Sequence, residues 1–174
     1  MFRHVMPDPR TKIPEGYHVE HPNREKAGSK LTKLIVFLLL LGSAALLVIV
    51  TLGGWDKLAG ARFVQVAYIG IYVLMAFFVL RWNRGVLPMA AALAMILGIF
   101  AGIAGPEWFA RDKPGYSQPE MDEAAIGTLT LLMVPVQFLL IVAAMTGFAQ
   151  GWNVEVEVPD GEHYHPGRHG PATT

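Results

Sequence analysis

No cysteine occurs in the chain, which excludes disulfides, thiolate metal ligands and thiol redox chemistry. Charge is also scarce: Asp, Glu, Lys and Arg make up 16% of the residues, against roughly 25% in an ordinary soluble domain. The 14 basic and 14 acidic side chains cancel, so there is no basic excess of the kind that marks a nucleic-acid binder. Four long stretches contain no His, Asp, Glu, Lys or Arg at all. That absence excludes haem ligated by intramembrane histidines, and argues against proton transport through a buried carboxylate.

What is present is apolar surface. Hydrophobic residues make up 53% of the chain and the mean hydropathy is +0.39. A charge at mid-bilayer costs about 2.5 to 3.5 kcal/mol on insertion scales, so the charges bound the spans. They predict an all-α membrane protein with four transmembrane helices at 34–55, 63–81, 86–106 and 124–149. Each is close to the roughly 20 helical residues that cross the hydrocarbon core. Together they form a domain over 34–150, preceded by an arm over 1–33 and followed by a tail over 151–174. The first apolar run is too long for a signal-peptide core and is expected to remain in the membrane.

Trp55, Trp82, Trp108 and Trp152 fall one at each helix exit, where an indole suits the headgroup region. The arm holds seven Lys and Arg, and the turn from Arg81 to Gly85 adds Arg81 and Arg84. The loop 105–124 has Arg111 and Lys113 against Glu107, Asp112, Glu120, Asp122 and Glu123. This bias places both termini inside and the loop 105–124 outside.

Four prolines keep most of the arm from regular helix. It reads as an extended segment that would be ordered only against a neighbouring protein surface. Val154, Val156 and Val158 alternate with Glu155 and Glu157, a short strand pattern. The six histidines, His4, His18, His21, His163, His165 and His169, all lie in the arm and tail. A metal site built on His163 and His165 would need the two tails to converge; a solvated Gly/Pro/His segment is the plainer reading, and no metal site is assigned.

Within the spans, Ala90, Ala94, Gly98 and Gly102 recur every four residues and include a GxxxG match. Such a stripe lets helices approach closely, either inside this bundle or against another subunit. Gln65, Tyr68 and Tyr72 share one face of the second span and could bond to a neighbouring helix or line a lipid or quinone pocket. Pro135, followed by Gln137, frees a carbonyl one turn earlier, which Thr128 or Thr130 could satisfy. The carboxylates of the loop 105–124 lack an accompanying base, nucleophile or metal motif, so a solvated acidic loop is favoured over a catalytic one.

The proline-rich arm, the run HPNREKAGSKLTK leading into the first span, the four bland helices and the covering loop together resemble small polytopic accessory subunits of bacterial respiratory complexes. The likeness is to those associated with actinobacterial cytochrome bc and cytochrome oxidase assemblies. It implies a non-catalytic subunit in the bacterial cell membrane that stabilises an electron-transfer complex, with cofactor-bearing respiratory subunits and lipids as partners. It implies no cofactor held by this chain alone, with lipid or quinone at its interfaces, and it carries over no functional residue. The alternative is a stand-alone transporter or lipid- or quinone-binding protein in which Gln65, Tyr68, Tyr72 and Gln137 converge on a pocket.

Overall fold

The fold is described by a computed structural model over residues 16–58, 60–111 and 119–165. In chain order it comprises β1 (Tyr17–Glu20), a single helical turn α1 (Pro22–Glu25), α2 (Ala27–Gly53), a 3-10 turn (Trp55–Lys57), α3 (Ala61–Leu80), α4 (Val86–Phe109), α5 (Glu123–Ala149) and β2 (Val156–Pro159). The helices α2, α3, α4 and α5 are each long and apolar enough to cross a membrane. The protein is therefore an all-α membrane protein with four spans. Phe63, Ile103 and Phe138 are 84%, 65% and 65% exposed, which suits a lipid-facing surface.

α2 runs seven residues further toward the N-terminus than the charge-bounded span, because Lys30 and Lys33 do not end it. A lysine stem can lie along the helix while its ammonium reaches the interface; the Lys33 ammonium sits 4.1 Å from the centre of the Trp82 ring. Helix α5 packs on both α2 and α4, and α2 packs on α3, whereas α3 and α4 touch little. The bundle is thus closed on three seams and opens on the fourth.

Small residues mark the closed seams. Ala44, Ala76, Ala90, Ala94, Ala101 and Ala144 are buried among Leu40, Leu87 and Leu140. α3 stops at the short turn to α4 in a Schellman arrangement: Asn83 N–H donates to the Phe78 carbonyl and Trp82 N–H to that of Val79. Trp82 occupies the left-handed position of that motif with φ of 60°, where glycine is usual and a side chain costs about 1 to 3 kcal/mol. Its ring meets the Trp152 ring edge-on at 5.3 Å, a contact that offsets part of that cost. At the same end Arg84 donates to the Phe148 carbonyl at 2.8 Å, serving the unmet acceptors at the C-terminus of α5.

Both tails lie at this end and pair with each other. β1 and β2 are antiparallel, with Tyr17 opposite Pro159 and Glu20 opposite Val156, so the valine alternation forms a strand whose Val158 is fully buried. The ordering surface for residues 17–26 is this chain's own C-terminal tail, in place of the separate protein surface expected; residues 1–15 lie outside the described ones. Asn23 donates to the Gly151 carbonyl at 3.1 Å and Arg24 to that of Trp152 at 2.9 Å. Of the tryptophans expected at the headgroup level, Trp55 is exposed, whereas Trp108 and Trp152 are buried in protein.

Candidate functional site

A directed hydrogen-bond relay crosses the middle of the bundle. The Tyr72 hydroxyl donates to Gln137 Oε1 at 2.9 Å, Gln137 Nε2 donates to Ser43 Oγ at 3.0 Å, and Ser43 donates to the Leu39 carbonyl at 2.7 Å. Three helices, α3, α5 and α2, are tied at one depth, and all three side chains are essentially inaccessible. Gln137 and Tyr72 thus connect helices in the closed interior. Ser43, which the sequence reading passed over, completes the chain.

Interhelical bonds in membranes average about 0.6 kcal/mol and reach about 1.7. Gln137→Leu, which breaks two such bonds, should lower stability by about 1 to 2 kcal/mol. Tyr72→Phe, which breaks one, should lower it by about half that. Unfolding in SDS followed by far-UV circular dichroism would show this order; equal losses would mean that the relay does not act as a chain.

Gln65 and Tyr68 lie elsewhere, at a cavity of about 510 Å³ where α3 and α4 diverge. The four residues proposed to converge therefore divide into two pairs, linked only by the edge-on packing of Tyr68 against Tyr72 at 5.8 Å. The Thr51 hydroxyl is 2.6 Å from both the Leu47 carbonyl and the Gln65 amide oxygen. One hydroxyl proton serves one acceptor at a time, so the Gln65 amide keeps hydrogen-bonding capacity facing the cavity. Lys57, Glu107 and Arg111 are at the mouth, and the Arg111 guanidinium lies 4.8 Å from the Trp108 ring centre.

The small-residue stripe faces α5. Ala90 and Ala94 are fully buried, a Cβ on Gly98 would touch Gln137 Cβ at 3.4 Å, and one on Gly102 would approach Val134 at 3.9 Å. The tightest approach is at Gly105, outside the motif, where a Cβ would fall 2.5 Å from Leu131 Cδ2. Pro135 lies within an unbroken α5. Thr128 and Thr130 donate to the Ala124 and Ile126 carbonyls, so neither serves the carbonyl freed by the proline. A helical hydroxyl reaches back one turn, because the Cα–Cβ bond points toward the N-terminus.

The tails converge on one carboxylate. Glu20 accepts from the Tyr164 backbone N–H at 2.9 Å, from His163 Nδ1 at 2.9 Å and from His18 Nε2 at 3.2 Å. Asp160 lies 3.4 Å from the other nitrogen of His18. The Tyr164 N–H, then His163 and His18, hold the Glu20 carboxyl down to about 2. A carboxyl depressed on folding contributes stability above its ordinary value near 4.5 and loses it as pH falls toward 2. Pepsin cleavage within 17–26 should therefore rise as pH falls from 4.5 to 2, and Glu20→Gln should flatten that rise. Among the described residues no group of three His, Asp or Glu has metal-holding geometry; His4 and His169 lie outside them.

Among the described residues the loop carboxylates divide between two places. Glu107 is at the cavity mouth, and Asp122 caps α5 through the Ala124 N–H at 3.3 Å. Glu123 is buried in the first turn of α5, where the helix dipole favours an anion. Glu120 lines a separate polar recess with Asp122 and Glu123, and Asp112 lies outside the described residues. Compared with known proteins, the chain matches no family model, no curated protein and no solved structure.

Proposed function

We propose that this protein is a non-catalytic subunit of a larger membrane assembly, of the respiratory electron-transfer kind suggested by the sequence resemblance, with both tails on the cytoplasmic side of a bacterial cell membrane. The observation that carries this reading is the two-stranded sheet formed by the tails. A two-stranded sheet is marginal alone, yet here it is anchored to the bundle through Asn23, Arg24 and the buried Trp152. Among the described residues each of its strands keeps one unpaired edge, and such an edge can add a strand from a partner. The bundle supplies a rigid base: its central polar groups connect helices, and the stretches 34–55, 63–80, 86–106 and 124–149 hold no His, Asp, Glu, Lys or Arg.

Extraction of the native protein in mild detergent, with mass spectrometry of what co-purifies and an absorption spectrum for haem, tests the reading. Stoichiometric cofactor-bearing partners, released when residues 154–165 are deleted, are expected. A colourless, partner-free monomer would overturn it.

A further inference from the structure

The cavity between α3 and α4 lies at the end of the bundle away from the tails. Among the described residues, charge is confined to its mouth, at Lys57, Glu107 and Arg111. Below the mouth its polar side chains, Gln65, Tyr68 and Thr130, are neutral. Gln65 and Tyr68 stand about 6 and 10 Å along α3 from Ala61 at 1.5 Å per residue, one turn apart on one face. The remaining wall is apolar or aromatic, with the rings of Phe100 and Trp108 beside the small Ala101 and Ala104.

Tyr68 is only 9% exposed, yet its hydroxyl has no hydrogen-bond partner among the described residues, while its ring packs edge-on against Tyr72. Thr51 meets the amide oxygen of Gln65, which leaves the amide N–H groups to the cavity. Thr130 is already engaged with the Ile126 carbonyl. Two neutral donors one turn apart therefore face an apolar space, where they are costly unless an acceptor meets them.

The surroundings narrow the choice of acceptor. A carboxylate or phosphate beside Tyr68 would be a charge among neutral groups at membrane depth, so the acceptor is uncharged. A volume of about 510 Å³ is too small for a two-chained lipid but suits a ring and the first units of a tail. Val64, Phe100 and Ile103 on the rim are exposed and α3 and α4 touch little, so a longer tail can leave sideways into the bilayer. Phe100 and Trp108 offer aromatic surface to a flat ring.

We propose that the cavity binds the head of an isoprenoid quinone, with one ring carbonyl accepting from the Tyr68 hydroxyl and the Gln65 amide and the tail leaving between α3 and α4. The charges at the mouth take no part in holding an uncharged head. The site belongs to the isolated chain and stands whether or not the protein joins a larger assembly.

Native mass spectrometry of the purified, delipidated full chain, exposed in separate arms to decylubiquinone, decanol, methyl oleate and phosphatidylglycerol, tests this. One retained quinone per chain is expected, above the retention of every other arm. Gln65→Leu with Tyr68→Phe should reduce quinone retention about tenfold, the effect of roughly two modest hydrogen bonds. Ala101→Trp, which fills the cavity, should abolish it. In infrared difference spectra with carbonyl-labelled quinone, the carbonyl stretch should fall on binding and move back toward the free position in Tyr68→Phe. Far-UV circular dichroism identifies any variant that has unfolded, and the conservative Tyr68→Phe then decides. No retained quinone, comparable or stronger retention in another arm, or retention and a carbonyl band indifferent to the folded variants would overturn the proposal.

Discussion

Trp152→Ala is expected to destabilise the protein by about 3 to 5 kcal/mol, the range for removing a large buried aromatic. The Trp152 indole is completely inaccessible. It packs edge-on against Trp82, donates to Gln150 Oε1 at 3.0 Å, and sits over Gly147, where an added Cβ would meet it at 3.0 Å. Its backbone carbonyl receives Arg24, so the residue joins the tails through its main chain and the bundle through its ring. Trp82 would be left holding a left-handed backbone without its packing partner. SDS unfolding followed by circular dichroism should show the loss, and trypsin should cut after Arg24 and Lys26 far sooner. A loss under 1 kcal/mol would mean that the tails do not couple to the bundle.

Gly102→Ala and Gly105→Ala should act in opposite directions although they lie one turn apart. At Gly102 the new methyl would meet only Val134 Cγ2 at 3.9 Å, ordinary contact, so the higher helix propensity of alanine, up to about 1 kcal/mol, should dominate. At Gly105 the Cβ would fall 2.5 Å from Leu131 Cδ2 and 2.6 Å from its Cγ. Neither α4 nor Leu131 can stay in place, and a loss of about 1 to 3 kcal/mol is expected. Adding Leu131→Ala to Gly105→Ala should recover much of it. If both glycine variants destabilised equally, close approach along the whole stripe, not one contact, would set the α4–α5 spacing.

The spans were legible because uncharged length alone is a strong signal in a bilayer. Their faces were harder to read. When nearly every residue is apolar, hydropathy does not separate the lipid side from the protein side: Phe138 faces outward and Leu140, two residues on, is buried. Residue size carries that information instead, as it does at Ala90 and Ala94. A motif still misses Gly105, because closeness depends on which partner residue stands opposite. Gln65 and Tyr72 share a helix face but sit about two turns apart, far enough for one to meet a cavity and the other a closed relay. The pairing of tails could not be read locally, since β1 shows no alternation of its own and its partner lies at the far end of the chain.

That separation has a consequence for biogenesis. β1 leaves the ribosome early, but β2 emerges only after α5 has been made, so Tyr17–Glu20 waits on the order of ten seconds at translation rates of about 5 to 20 residues per second. Both strands must also be on the same side of the membrane. A chain that skipped or inverted a single helix during insertion would strand β2 across the bilayer from β1. Closure of the sheet therefore requires an even number of crossings, and chains that miss one helix would keep Arg24 and Lys26 open to proteolysis.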